Sequence, residues 1–228
     1  ALEITLTGKA CGMEERAPMC GVPYHAVEGY LNKLIQKGFK VAICEQVEDP
    51  ALAKGIVKRE VVRVITPGTL IESDLLVDAK NNYLCAVYID GGDLSVAFSD
   101  ITTPKISCTH FSGDEALSSL MNEISTYSPS EVILNLSYDK CMSLYEFLKD
   151  RMGVSVSDGA EYLYDETVCT DYCRSHFPDT AMYSGEMLAV GALIGYIVET
   201  QKKDVSYIKE LEVYFANQFL GIDINTRR

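Results

Sequence analysis

The chain has 228 residues and carries 20 Lys and Arg against 33 Asp and Glu, a formal net charge of −13, with 47% hydrophobic and 23% charged residues. That balance excludes a disordered polar chain, and the length suffices to bury a core in one large domain or two ordinary ones. No apolar run approaches the roughly 20 residues of a membrane span; the longest candidate, MLAVGALIGYIV (187–198), is broken by Gly191 and Gly195, whose GxxxG spacing reads as close helix packing in a core.

The charge is unevenly spread. Residues 1–68 hold 9 Lys and Arg against 8 Asp and Glu, and the remainder holds 11 against 25. An acidic body repels a phosphate backbone, so any nucleic-acid contact is expected in the first segment. There KGIVKREVVR places Lys54, Lys58, Arg59 and Arg63 against Glu60 alone, with a solvated strand rim as the bland alternative. The eight cysteines form no CxxC and no framework spacing, which points to a reducing cytoplasm. The chain opens in mid-pattern at LEITLT and stops at NTRR, so the expectation is a piece of a longer protein with no signal peptide.

In chain order, residues 2–7 alternate as a half-buried strand, and TGKACGMEER reads as a loop. APMCGVPYH (17–25) has too little alternation for a strand and two prolines that forbid a helix interior. Val27, Tyr30, Leu31, Leu34 and Ile35 recur at helical spacing, with Gly38 as the stop. KVAICEQ reads as a buried strand, and EVVRVITPG as another, ended by Pro67-Gly68. This small mixed α/β unit, 1–68, lacks the strands its helix would cover on the N-terminal side. A linker is expected over 69–79.

From residue 80, NYLCAVYI, the turn DGGD, LSVAFSDI and KISCTHFS read as three strands in series with an Asp-Gly hairpin. Ser112 to Glu115 reads as a capping box opening a helix with Leu117, Leu120, Met121 and Ile124 on one face, ended at Ser128-Pro129. EVILNL is a strand, Tyr138 to Arg151 a helix, VSV a short strand and Ser184 to Lys203 a further helix. Three strands followed by alternating helix and strand is the order of a ribonuclease-H-like α/β domain with a mixed sheet covered by helices, expected over 80–215.

Motifs for chemistry are absent: no GxxxxGK[ST], GxSxG, HExxH or strand-borne GxGxxG occurs. Cys11, Cys20, His25 and Cys44 match no common zinc spacing. A metal-dependent nuclease or phosphotransferase on the ribonuclease-H-like fold is the alternative from another class, with Asp90, Asp100 and Asp114 or Glu115 as its acids. Each of these is also explained by a hairpin, a strand end or a cap. No catalytic and no metal residue is assigned.

One run carries a specific resemblance. GMEERAPMCGVPYHAVEGYLNKLIQKGFKVAICEQVEDPALAKGIVKREVVRVITPGT closely resembles the mismatch-recognition domain of bacterial members of the MutS family of DNA mismatch repair proteins, because the PMxGxPYH and CEQ…DP…KG…VxRVxTPGT runs occur together and in order. Residues 80–215 resemble the family's connector domain more loosely, and GIDINTRR resembles the start of the lever and core region, 216–228.

The resemblance implies contact with mismatched, kinked duplex DNA through the minor groove, for which a stiff apolar loop loses little entropy. Pro18 and Met19 match loop positions beside the mismatch, and Lys9 and Arg59 match positive positions facing the backbone. Lys58 joins this candidate set, although for Lys58 and Arg63 contact with DNA and exposure to solvent both stay open. Tyr24 and His25 are expected to serve packing and the start of the helix. The family's Phe-x-Glu mismatch reader does not occur in this sequence, the nearest phenylalanine being Phe39. The resemblance therefore implies part of a sensor without specific mismatch recognition or ATPase activity of its own. It places ATP, Mg²⁺ and homodimer formation in the full-length parent, which is cytoplasmic and not membrane-bound, and a MutL-type partner on the connector.

Overall fold

The computed structural model describes residues 2–10, 12, 15–49, 51, 52, 55–70 and 81–216. Lys54, Cys11, the expected linker beyond Leu70 up to residue 80, and GIDINTRR lie outside them.

The chain begins with an antiparallel ribbon of β1 (Thr7–Lys9) and β2 (Ala17–Met19), in which Gly8 faces Pro18. Two expectations are corrected here. Residues 2–6 are not a strand, because Glu3 takes φ +55° and interrupts the extended run. Ala17–Met19 is a strand after all: Pro18 fits it because a proline is tolerated in so short a strand at a sheet edge. A one-turn 3₁₀ helix at Tyr24–Ala26 then leads into α1 (Val27–Ile35). Gly38, at φ +78°, turns the chain after the helix and aims it into β3 (Val41–Gln46), which pairs antiparallel with β4 (Arg59–Ile65).

The core of this unit is small: Leu31, Ile35, Ile65 and Leu70, with Val27, Val41 and Ile43 against them. β3 is half-buried rather than buried, because only its alternate residues Val41 and Ile43 reach that core while Ala42 and residues 44–46 face water. Tyr24 and His25 are likewise exposed, Tyr24 at 89%. The buried stripe of α1 runs through Leu31 and Ile35, and the 3₁₀ turn before it points Tyr24 outward, so the pair starts the helix without packing.

The second unit is built on a six-stranded mixed sheet. β5 (Tyr83–Asp90) and β6 (Asp93–Asp100) form the hairpin expected at Gly91-Gly92, and β7 (Lys105–Phe111) continues antiparallel to β6. α2 (Ala116–Tyr127) returns the chain to β8 (Glu131–Leu134), parallel to β5. A 3₁₀ turn, α3 (Met142–Glu146) and a π-helical turn (Phe147–Arg151) replace the single helix expected over 138–151 and lead to β9 (Ser155–Ser157), parallel to β8.

α4 (Glu166–His176) and α5 (Ser184–Gln201) follow, then β10 (Glu210–Val213), which adds to β7 in parallel. The strand order β10-β7-β6-β5-β8-β9 contains the antiparallel trio and parallel continuation expected of a ribonuclease-H-like domain. Alternation along β5 sends Leu84 and Ala86 toward α4 and α5, and Cys85 and Val87 toward α2 and α3, so both faces of the sheet are covered.

Two details of the second unit depart from expectation. α2 starts at Ala116 with Glu115 as its N-cap and no side-chain cap, because Gly113 at φ +86° turns the chain between Ser112 and the helix. Its buried residues are Ala116, Leu120 and Ile124, while Leu117 is 38% exposed. α4 and β10 were not expected at all. Gly191 of α5 does serve the close packing its spacing suggested, lying directly on Cys169 of α4.

Candidate nucleic-acid interface

The β1–β2 ribbon gathers three of the five candidate residues. Lys9 faces Ala17, Gly8 faces Pro18 and Thr7 faces Met19, and the Thr7 hydroxyl donates to the Met19 carbonyl at 2.7 Å. The backbone at Met19 is thus fixed while its thioether side chain stays in water, at 44% exposure. Lys9 and Pro18 are also exposed. Pro18 fixes its own φ near −65° in general and presents an apolar ring, so the ribbon offers a stiff, partly apolar edge with one ammonium beside it. A β-carbon at Gly8 would stand 3.0 Å from the Arg16 side chain, which explains the glycine in this tight pairing.

Lys58 and Arg59 lie on a separate ribbon, at the outer end of β4, where Arg59 pairs with Gln46. Both are exposed. The Lys58 ammonium meets the Glu60 carboxylate at 2.5 Å, with side chains 66% and 53% exposed, and the Lys58 amide donates to Glu48. An exposed pair of this kind is held by well under 1 kcal/mol or so and opens readily to a competing phosphate. Arg63 faces Ile43 beside an irregularity in the ribbon and is half-buried, so it lies further from solvent than Lys58 or Arg59.

The acids that a nuclease would need have other employment. Asp100 is buried and caps a turn: its carboxylate accepts from the Asn82 amide at 2.9 Å and from the Thr102 amide and hydroxyl at 2.9 and 2.7 Å. Asp90 faces Asp93 at the exposed end of the hairpin. Asp114 and Glu115 are exposed before α2. Among the described residues no three His, Cys, Asp or Glu side chains group as a metal site.

Comparison with known families matches residues 1–74 to MutS domain I and residues 82–209 to MutS domain II, which is more than half of the chain. The chain belongs to the MutS family of DNA mismatch repair proteins. It is 42% identical over 231 residues to the DNA mismatch repair protein MutS of Acetivibrio thermocellus, covering all of this chain and 27% of that protein. It is 42% identical to the MutS of Lachnoclostridium phytofermentans and 44% identical to that of Caldicellulosiruptor bescii, with all of this chain and 25% of each relative covered. The chain thus spans about a quarter of the length of the curated relatives it matches.

The ATP and Mg²⁺ implied by the family do not fit the described residues, since no phosphate loop occurs in the sequence and, among the described residues, no group of His, Cys, Asp or Glu is arranged for a metal. No step through them is assigned to this chain. Among the described residues no helix is long and apolar enough to cross a membrane.

Sequence reasoning passed over one residue that organises the junction of the two units. Glu131, the first residue of β8, is fully buried and accepts hydrogen bonds from both units. The only signal in the sequence is a lone acid heading the apolar run EVIL, which resembles a solvated strand start.

Proposed function

We propose that this chain serves DNA mismatch recognition and the initiation of repair as part of a MutS-type protein. In this reading residues 1–68 contact kinked, mismatched duplex DNA through Lys9, Pro18, Met19, Lys58 and Arg59. Residues 69–79 link them to a connector, 80–215, which relays the bound state to the ATPase of the parent and to a MutL-type partner. Residues from 216 begin the lever and core region, and homodimer formation, ATP and Mg²⁺ belong to the cytoplasmic parent.

The observation that carries the reading is the β1–β2 ribbon, which sets an exposed lysine, a proline and an exposed methionine side by side with their backbone fixed. Such an edge approaches a groove without the entropic loss of ordering a loop, while on the separate β3–β4 ribbon exposed Arg59 and Lys58, whose exposed pair with Glu60 opens readily, can meet phosphates. The contact is few-charged, so duplex binding by this chain is weak and its salt dependence shallow, with about two to four phosphates neutralised.

The test is a duplex-binding series across salt with Lys58→Ala, Arg59→Ala. The expected result is weaker binding and a slope reduced by about one to two. Unchanged affinity and slope would remove the β3–β4 ribbon from the DNA face.

A further inference from the structure

Glu131 is 0% exposed at the start of a central strand, where a carboxylate without donors would be severely destabilising. Five groups converge on it. Oε2 accepts from the Thr66 hydroxyl at 2.5 Å and the Gly68 amide at 3.1 Å. Oε1 accepts from the Tyr196 hydroxyl at 2.7 Å and the Ser157 hydroxyl at 3.4 Å, and faces the Lys40 ammonium at 3.3 Å. The ammonium also donates to Ser157 Oγ at 2.7 Å and Tyr196 Oη at 2.9 Å, and lies 5.2 Å from the centre of the Tyr196 ring. Burial and the neighbouring Glu131 carboxylate push the Tyr196 phenol far above its ordinary value, so it remains a donor at any physiological pH.

The two attachments of the first unit to this carboxylate differ in kind. Thr66, Gly68, Thr69 and Leu70 are the continuing chain, and all four are buried. A β-carbon on Gly68 would stand 2.7 Å from Leu84 Cδ1 and 2.9 Å from Glu131 Cβ, so this root is seated without clearance. Lys40 reaches the same carboxylate from the other strand of the ribbon, just before Val41, whose partner is Ile65. Its side chain is 43% exposed and needs no desolvation to leave. When it leaves, Glu131 keeps the hydrogen bonds from Thr66, Gly68, Tyr196 and Ser157, which offset part of the cost of leaving the carboxylate without its cation.

We propose that Lys40 is a releasable catch that holds the β3–β4 ribbon docked on the connector, with residues 66–70 as the pivot about which the ribbon turns when the catch opens. The β4 strand is held by the continuing chain and by packing against α5, whereas the β3 strand reaches the carboxylate through Lys40. The ribbon is also a lever. Arg59, at the opposite end of β4, is six residues from Ile65, which at about 3.3 Å per residue is about 20 Å from the pivot, and Lys58 immediately precedes it. A small rotation at Glu131 therefore displaces these two cations by several times the movement at the catch. The consequence for DNA rests on the reading above, whereas the catch itself rests only on the geometry of the junction.

The experiment uses the whole chain without DNA, so failure of the DNA reading leaves its outcome untouched. Nitroxide labels are placed on Cys44, exposed in β3, and on Tyr162→Cys, exposed on the connector, with Cys11, Cys20 and Cys141 changed to Ser. Pulsed electron resonance reads the distance between them. With Lys40 present, low salt should give one narrow distance, and salt of about 1 M, where the screening length is about 3 Å, should add a second population. Lys40→Met should raise that population about tenfold at low salt and abolish the salt response, while Lys40→Arg restores the narrow distance. Ser157→Ala, which removes one of the ammonium's acceptors, should give an intermediate population. A single narrow distance retained by both Lys40→Met and Ser157→Ala at low salt would overturn the proposal, as would a distance in the unsubstituted protein that ignores salt.

Discussion

Gly191 and Cys169 hold α5 and α4 at a separation that only a hydrogen side chain permits: a β-carbon built on Gly191 would stand 2.4 Å from both Cα and Cβ of Cys169. Four residues on, Gly195 has ordinary clearance, with Tyr172 Cε2 at 3.5 Å and Leu163 Cδ2 at 4.0 Å. The two glycines of one GxxxG therefore do different things, and the pair makes a controlled test. Gly191→Ala forces backbone apart and should cost about 2–3 kcal/mol, lowering the melting temperature by about 5–10 °C. Gly195→Ala should be neutral or stabilising by up to about 1 kcal/mol, because alanine is the better helix former. Thermal melts of both variants decide it, and equal losses would mean that the helices are not gauged by Gly191.

These helices also show what the sequence could and could not reveal. The Asp-Gly-Gly-Asp turn, the strands beside it and α5 were legible because each carries a local signal: φ > 0 at Gly91, period-two burial, and a long apolar run. α4 was not, because its fully buried side is made by Cys169 and Cys173, with Tyr172 partly buried beside them and Val168 exposed, so no hydrophobic stripe stands out; its one cue is Asp165, whose side chain caps the Val168 amide at 3.0 Å. β10 was missed in the four residues ELEV, whose alternation is clear but short. Of the candidate site, Lys9, Pro18 and Met19 were named through resemblance to a family. Their pairing as a strand was hidden by Pro18, which argues against a strand in sequence and is accommodated at an edge in space. Glu131 was illegible because its donors come from residues 26 to 91 positions away in the chain.

The buried thiols give the fold an alkaline limit. Burial pushes the Cys169 thiol up to about 12 and the Cys173 thiol to about 11 from an ordinary value of 9.0, and raises Cys85 and Cys108 further. A group whose folded value is raised contributes stability fully below its unfolded value and loses it as pH rises toward the folded one. The melting temperature should therefore be level up to about pH 9 and fall steadily above it. Cys169→Ala with Cys173→Ala should flatten that fall, and an unchanged slope would assign it to other groups. In the same protein at about pH 8, iodoacetamide should modify exposed Cys20 and Cys44 and leave Cys85, Cys108, Cys169 and Cys173 intact until unfolding, as read by peptide mass.

Glu60 restrains the cation beside it. Its exposed contact with Lys58 is of the kind that contributes little to stability, yet it supplies a negative charge next to a candidate phosphate contact. Glu60→Gln should leave the melting temperature within about 2 °C and strengthen duplex binding, with the salt slope steeper by up to about one. Binding that is indifferent to Glu60→Gln while Lys58→Ala weakens it would mean that Lys58 already faces DNA with its partner displaced at no cost.

Met19 separates a DNA-facing ribbon from a merely structural one. Its backbone is fixed by pairing with Thr7 and by the Thr7 hydroxyl, while the side chain lies outside the small core of Leu31, Ile35, Ile65 and Leu70. Met19→Asp removes a polarisable apolar contact and adds a negative charge where phosphates are proposed to lie. The folding cost should stay within about 0.5 kcal/mol, the usual range for an exposed substitution. The loss of mismatch affinity in the full-length parent should be larger, about 1–3 kcal/mol, as for truncation of a good interface contact. Melting temperature and mismatch affinity are measured on the same full-length variant. A protein that unfolds on Met19→Asp yet keeps its affinity per folded molecule would make the ribbon part of the core and remove Met19 from the DNA surface.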